Sequence, residues 1–366
     1  MSAIKSTQRN LYEKKKMIKK KAKPFVSLVI PAYNEETIIE KNLNEICIYM
    51  SKLEAQYSWE MIIVDDGSND NTGEILEKYA ENRSNICVIR HLTNMRLAQA
   101  LKTAFESCKG DYVITLDADL SYSADHIEKL LSKIIETNAQ IVIASPYMKE
   151  GSVSNVPRMR KLLSKWANRF LSFFARGNIH TLTGMVRAYD RQFLIALNLK
   201  ADDVDINAEI IYKSMLLRGR IIEIPASLNW NSQNLNGKQR RSSMRILPGI
   251  SRYFISGFIF RPFMFFIFTG YILLFISLYP ITWALIHTIN CYRKMQYSID
   301  PFDYKISDAI GNAFQQSPHA FLIGGFTLML AIQFISLGAL AMQVKHYFEE
   351  LFHLGTNIFR NVKTKN

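Results

Sequence analysis

Apolar runs rich in β-branched residues alternate with segments of helical period along the first half of the chain. The apolar runs are residues 25–30, 61–64, 86–89, 112–116 and 141–144. Between them, residues 36–52, 72–81, 95–108 and 124–137 carry apolar side chains at the spacing of one helix face, with Asp70 or Thr72 and Ser123 placed as N-terminal caps. This alternation predicts an α/β fold with a largely parallel sheet and helices on its faces.

The last third of the chain follows a different pattern. Residues 262–292 and 309–344 contain no Asp, Glu, Lys or Arg, and each run exceeds the roughly 20 residues that cross a bilayer as a helix. Two buried core helices are the alternative, but uncharged runs of this length are rare in soluble domains. The pattern therefore predicts two transmembrane helices.

Charge adds an orientation to this prediction. The formal net charge is +13, and many basic residues lie in the N-terminal tail or just before the first apolar run, where Lys238, Arg240, Arg241, Arg245, Arg252 and Arg261 occur. This placement favours a lipid surface over nucleic acid as the partner. By the positive-inside rule, the large N-terminal domain and the C-terminal tail are predicted to be cytoplasmic. The four cysteines show no CxxC spacing, so neither a disulfide framework nor a zinc site is indicated.

Polar side chains follow three of the predicted strands. The first strand leads into residues 31–35 (PAYNE), the second into 65–68 (DDGS) and the fourth into 117–119 (DAD). Ligands collect at the carboxyl ends of parallel strands, and carboxylates gathered there repel unless a cation offsets their charge. Oxygen ligands suit Mg²⁺ or Mn²⁺, which complete their shell with substrate phosphates. No GxxxxGK[ST] loop and no GxGxxG after the first strand are present, so P-loop and dinucleotide-binding classes lose their main support.

The motifs PAYNE, VDDGSNDNT and LDADL, in this order and spacing, resemble those of the inverting family 2 glycosyltransferases with a GT-A fold. Within that family the chain is similar to the dolichyl-phosphate mannose synthases and the bacterial polyprenyl-phosphate glycosyltransferases, over about residues 25–245. The resemblance implies transfer of one sugar from a nucleoside diphosphate donor to a polyprenyl phosphate, with inversion and with Mg²⁺ or Mn²⁺. A homo-oligomer is left open.

The resemblance also implies roles for individual residues. The residues that it implies for nucleotide binding are Pro31, Ala32, Tyr33, Glu35, Asp66, Asp117, Ala118 and Asp119. It assigns the metal to Asp117 and Asp119, and catalysis to these two together with Arg160. It assigns the acceptor phosphate to Arg160, Lys161, Lys165, Lys238 and Arg240.

The predicted organisation has seven parts. These are a basic tail (1–24), the GT-A domain (25–235), a basic interfacial segment (236–261), a first span (262–290), an extracytoplasmic loop (291–318), a second span (319–344) and a cytoplasmic tail (345–366).

Three positions depart from the family pattern. Ser121 stands where relatives usually have Gln, Pro146 stands where they often have Arg, and the glycine of an NxGxxxA segment is replaced in residues 94–100 (NMRLAQA). Sugar recognition is therefore expected to differ.

Some questions stay open from the sequence. Asp65 is either a ligand or a turn residue, and Asp203, Asp205 or Glu209 is a candidate base if the acceptor is a hydroxyl. A processive polysaccharide synthase is one alternative function, although no QxxRW motif is present. A catalytically silent membrane scaffold is another, and the retained aspartates argue against it.

Overall fold

In the computed structural model, the residues described are 23–229, apart from 158, 160, 161, 163, 167, 170–178 and 204, together with 262–295 and 301–363. The chain forms two compact units, Met1–Ser256 with His353–Asn366, and Gly257–Phe352. Each unit is described by itself.

The first unit is built on a seven-stranded sheet and a separate two-stranded sheet. The strands are β1 Phe25–Ala32, β2 Ser58–Asp65, β3 Ile86–Arg90, β4 Tyr112–Thr115, β5 Ile141–Ser145, β6 Ser152–Ser154, β7 Arg187–Asp190, β8 Ile221–Pro225 and β9 Ser227–Asn229. The order in the large sheet is β3-β2-β1-β4-β7-β5-β8, and β6 pairs with β9. Only β7 runs antiparallel to its neighbours β4 and β5 in this sheet, among the residues the structure describes. This arrangement confirms the predicted mostly parallel sheet.

Six helices with defined bounds accompany the sheet in the described part of this unit. They are α1 Ile39–Leu53, α2 Thr72–Ala80, α3 Arg96–Ser107, α4 Asp125–Thr137, α5 Arg191–Ala196 and α6 Ile206–Leu216. The five predicted strands and four predicted helices of the first half are thus confirmed to within a few residues. The cap prediction for Ser123 is wrong: the residue before α4 is Ala124, and the Ser123 hydroxyl instead bonds to the Asp125 carboxylate.

Burial explains why residues 25–30 of β1 are apolar at every position but one. Leu28 and Ile30 pack in one core cluster with Leu43 of α1, while Val29, which points to the opposite face, is also fully buried. A strand covered on both faces favours apolar side chains throughout. The one polar side chain within residues 25–30, Ser27, is fully buried and donates its hydroxyl to Glu60 Oε1 at 2.6 Å. Each such buried aliphatic side chain contributes about 1.5–3 kcal/mol, so the polar residues of this region concentrate at the strand ends.

The second unit contains α7 Pro262–Lys294, α8 Phe302–Gln316 and α9 Pro318–Lys363, although this last helix extends beyond the unit. Among the described residues, two helical segments are long and apolar enough to cross a membrane, Phe263–Lys294 and Pro318–Thr356, each with a mean hydropathy of 2.0. Many of their large apolar side chains are exposed, including Phe268, Phe275 and Phe326. Core helices of a soluble domain would bury such side chains, so this exposure fits membrane helices better.

The structure adds a helix that the sequence analysis did not predict. The segment predicted as a loop at residues 291–318 contains helix α8, and the uncharged run 309–344 is divided between α8 and α9. The break falls at Ser317, whose backbone is not helical, because the following Pro318 disfavours helical geometry at the residue before it.

Candidate functional site

The loops that follow β1 and β2 are joined by side chain to backbone hydrogen bonds. The backbone N–H groups of Asn34 and Glu35 donate to Ser68 Oγ at 2.9 Å and to Thr72 Oγ1 at 2.7 Å. In return, the N–H of Asn69 donates to Asn34 Oδ1 at 2.9 Å. The parallel register places Ala32 opposite Asp65, so the two loops leave the sheet side by side. The predicted nucleotide residues of PAYNE and DDGS therefore belong to one rigid surface.

Asp66 is buried and is oriented by a histidine that the sequence analysis did not single out. Its Oδ1 atom lies 2.8 Å from Nδ1 of His91 and accepts the backbone N–H of Met95 at 2.9 Å. Nε2 of His91 lies 3.0 Å from Thr103 Oγ1 on α3, which holds the imidazole ring from its other side. The signal for His91 in the sequence is its position directly after β3, at the same sheet edge as Asp66.

Gly67 permits the close approach of the loop after β3. Its φ angle is +68°, and a Cβ atom at this position would lie 2.4 Å from the carbonyl carbon of Thr93 and 2.7 Å from the nitrogen of Asn94. A side chain would thus collide with backbone atoms that cannot rotate away. The glycine of DDGS is required by this contact as well as by its φ angle.

Asp65 serves the turn. Its Oδ1 atom accepts the N–H of Ser68 at 3.0 Å, and its Oδ2 atom lies 3.2 Å from Nε of Arg90 on β3. The side chain is fully buried. Of the two roles that the sequence left open, the structure supports the turn role.

The DAD residues lie directly after β4, next to the end of β1. Leu116 N donates to Val29 O at 2.9 Å, which brings Asp117 beside the PAYNE loop. Ser121 bonds to both carboxylates, through its N–H to Asp119 Oδ1 at 2.9 Å and through its hydroxyl to Asp117 Oδ2 at 3.4 Å. Leu120 has a φ of +47°, so the chain turns sharply within this motif.

The electrostatic environment of Asp117 favours a nearby cation. Burial, followed by the nearby carboxylates of Asp119 and Glu35, raises the pKa of Asp117 to about 7, against its usual value of 3.8. Within the described part of the chain, no group of three or more His, Cys, Asp or Glu side chains is placed to hold a metal ion. Two carboxylates and the Ser121 hydroxyl are an oxygen donor set that fits Mg²⁺ or Mn²⁺ if substrate oxygens complete the shell.

The structure describes only one of the five predicted phosphate-binding residues. Arg160, Lys161, Lys238 and Arg240 lie outside the described residues, whereas Lys165 is exposed in helical residues 164–166. The same helical region is attached to the domain by Asn168. The amide oxygen of this buried residue accepts the N–H groups of Leu182 and Thr183 at 2.8 and 3.1 Å, and its Nδ2 donates to Thr183 Oγ1 at 3.0 Å.

The three candidate bases for a hydroxyl acceptor are engaged in structural contacts. Glu209 on α6 accepts the N–H groups of Lys200 and Ala201 at 2.9 and 2.8 Å, and it lies 2.7 Å from Lys213 Nζ. Asp203 Oδ2 lies 3.4 Å from Nη1 of Arg96, and Asp205 accepts the N–H of Asp203 at 3.1 Å. These carboxylates organise the turn between α5 and α6.

Comparison with known proteins agrees with the motifs. Residues 27–197 match the family Glycosyl transferase family 2. A dolichyl-phosphate beta-glucosyltransferase (ALG5A) of Trichomonas vaginalis is 28% identical over 57% of this chain and 67% of its own length. A dolichol-phosphate mannosyltransferase of Pyrococcus furiosus is 34% identical over 39% of each chain.

An undecaprenyl-phosphate 4-deoxy-4-formamido-L-arabinose transferase of Pseudomonas fluorescens is 33% identical over 47% of this chain and 48% of its own length. The match thus spans about two thirds of the first of these relatives and less than half of the other two. The predicted family 2 glycosyltransferase domain is thus confirmed over residues 27–197.

Proposed function

The chain contains a family 2 glycosyltransferase domain, and we propose that the protein transfers one sugar from a nucleoside diphosphate sugar to a polyprenyl phosphate, with inversion. The observation that carries this proposal is the Asp117 and Asp119 pair at the sheet edge, where burial and then the neighbouring Asp119 carboxylate raise the pKa of Asp117 to about 7. A site of this kind is suited to a cation and the diphosphate that accompanies it. The acceptor class is proposed because three relatives are named for dolichyl, dolichol or undecaprenyl phosphate.

The transfer balances without an external reactant. A phosphate oxygen of the acceptor forms the new bond to the anomeric carbon, and the bond from that carbon to the donor diphosphate breaks. The nucleoside diphosphate leaves with the bonding electron pair. A divalent cation bound at Asp117 and Asp119 would supply Lewis-acid stabilisation of the leaving diphosphate.

The residues of the chain have separate tasks in this scheme. The joined PAYNE and DDGS loops present Tyr33, Glu35 and Asp66 to the nucleoside, and Asp66 is held in place by His91. Arg160, Lys161, Lys165, Lys238 and Arg240 supply positive charge for the acceptor phosphate, Arg160 as a planar, bidentate donor.

Two considerations favour a phosphate acceptor over a hydroxyl, one from the chemistry of the acceptor and one from the structure. A polyprenyl phosphate arrives ionised and needs no strong base, so positioning and charge neutralisation carry the rate. The carboxylates that would be bases for a hydroxyl, Asp203, Asp205 and Glu209, are instead engaged with neighbouring groups. The two helical segments that are long and apolar enough to cross a membrane support a membrane location, where such an acceptor resides. We propose the cytoplasmic face from the positive-inside rule.

The test is a transfer assay with the full chain in detergent, Mg²⁺ or Mn²⁺, undecaprenyl phosphate and a panel of UDP and GDP sugars. We expect one donor to yield a glycolipid, and Asp119→Asn to lower the rate at least about a hundredfold, as for loss of a group that stabilises transition-state charge. Glu136→Gln, which removes an exposed carboxylate on α4, is the charge-matched control and is expected to retain activity. If none of the donors yields a glycolipid, or if the Asp119→Asn variant keeps the wild-type rate, the proposal is refuted.

A further inference from the structure

The backbone of Arg96 adopts a conformation that long side chains rarely take. Its φ angle is +72°, in the left-handed region where the Cβ atom crowds the following carbonyl. Of the seven non-glycine residues with positive φ in the described part of the chain, four are asparagines, which tolerate this region, and the others are Leu120, Arg96 and Arg218. This backbone conformation is unfavourable in free energy for an arginine, so we expect the side chain to make a compensating contact.

The Arg96 side chain connects α3 to the segment that precedes α6. Its Nη1 atom lies 3.4 Å from Asp203 Oδ2, and 59% of the arginine side chain is exposed. Six residues further along α3, Nζ of Lys102 donates to the carbonyl of Ala201 at 2.9 Å. Two basic side chains of α3 therefore hold residues 201–203. An ion pair this exposed adds little stability by itself, so folding alone does not account for the strained arginine.

The other side of Arg96 adjoins the nucleotide surface. The preceding residue, Met95, donates its N–H to Asp66 at 2.9 Å. The chain just before it, at Thr93 and Asn94, packs against Gly67 so closely that no Cβ atom would fit. Arg96 therefore links two contacts: the residue before it bonds to Asp66, and its own side chain pairs with Asp203.

We infer that Arg96 is a positioning residue for the donor: its ion pair with Asp203 holds residues 91–96 against Asp66 and so fixes the wall that receives the nucleoside. This inference rests on the proposed function, in which Asp66 contacts the nucleoside. A preformed wall raises affinity because less order has to be imposed when the nucleotide binds.

The test measures binding of UDP and of GDP, each with Mn²⁺, to the full chain by isothermal titration calorimetry, together with its Tm. For whichever nucleotide the wild type binds, we expect Arg96→Gly to weaken binding about three- to fivefold, the range for loss of an exposed ion pair. Its Tm is expected to be unchanged or higher, because glycine relieves the backbone strain. Asp203→Asn removes the same ion pair and is expected to weaken binding to the same extent, whereas Arg96→Lys retains the charge and most of the affinity.

Arg218→Gly is the matched control, since Arg218 also has a positive φ, of +53°, at the turn between α6 and β8. It is expected to leave nucleotide affinity unchanged. Affinity equal to wild type in Arg96→Gly overturns the inference alone and leaves the proposed function standing. Loss of affinity together with a lower Tm also overturns it, because a general structural role would then account for both. A wild type that binds neither UDP nor GDP overturns the inference and the proposed donor together.

Discussion

Ionisation of Asp117 should set the affinity of the proposed cation site, and the structure gives the size of the effect. With a pKa of about 7 in the absence of metal, about one tenth of Asp117 is ionised near pH 6 and about nine tenths near pH 8. A cation binds the ionised pair and competes with the proton. The apparent Kd for Mn²⁺ is therefore expected to be about tenfold weaker near pH 6 than near pH 8.

The same shift gives a dependence of stability on pH, with a definite sign. The folded-state pKa of Asp117 is raised above the unfolded value of 3.8. Without metal, the contribution of Asp117 to the free energy of unfolding is expected to be most favourable below about pH 4 and to fall as the pH rises to about 7, by at most about 4 kcal/mol. Cation binding offsets this loss, so Mn²⁺ should raise the Tm more near pH 8 than near pH 6.

The assay is titration of the full chain with Mn²⁺, followed by the electron paramagnetic resonance signal of the free ion, at both pH values. Asp117→Asn removes the titrating group and is expected to bind weakly, with no change between the two pH values. Glu136→Gln, on the surface of α4, is the control and should keep the wild-type dependence. An identical wild-type Kd at both pH values, or an Asp117→Asn variant that binds as the wild type does, would refute the reasoning.

Three further predictions concern Gly67, Glu209 and the thiols. Gly67→Ala should lower the free energy of unfolding by about 2–4 kcal/mol, because position 67 has a positive φ and the added Cβ atom would clash with the backbone of Thr93 and Asn94. It should also weaken nucleotide binding. Urea unfolding measures the first effect and calorimetry the second. Glu209→Gln should lower the free energy of unfolding by about 1–3 kcal/mol and leave kcat unchanged, because the Glu209 carboxylate accepts hydrogen bonds from backbone N–H groups. Measurements of Tm and of the transfer rate will separate the two effects. In thiol labelling near pH 8, the exposed Cys87 should react rapidly and Cys108 slowly, since burial raises the pKa of the Cys108 thiol to about 12.

Each of these has a control and a contrary outcome. Gly311→Ala adds a Cβ atom where nothing lies within 4 Å and should not destabilise the protein, so equal losses in both alanine variants would contradict the clash. A fall in kcat with an unchanged Tm in Glu209→Gln would identify that carboxylate as a base. Rapid labelling that persists in a Cys87→Ser variant would show that another thiol is accessible.

Much of the fold was accessible from the sequence because burial imposes a local pattern. β1 is covered on both faces, so its residues 25–30 are apolar apart from the buried Ser27, and the polar motifs PAYNE, DDGS and DAD lie where the strands reach the edge of the sheet. Helix α8 was missed for a related reason. Its residues 309–316 carry no charge, and by composition they cannot be told from the run that continues into α9.

What the sequence by itself determined is the family, the mostly parallel sheet, the two apolar helical segments and the edge at which Asp66, Asp117 and Asp119 gather. These follow from periodicity and from motif order, which are properties of neighbouring residues. Only the tertiary structure decided that Asp65 serves a turn, that His91 holds Asp66 and that Arg96 reaches Asp203. Each of these roles depends on a contact between residues far apart in the chain, and side-chain spacing along a strand or helix carries no record of such a partner.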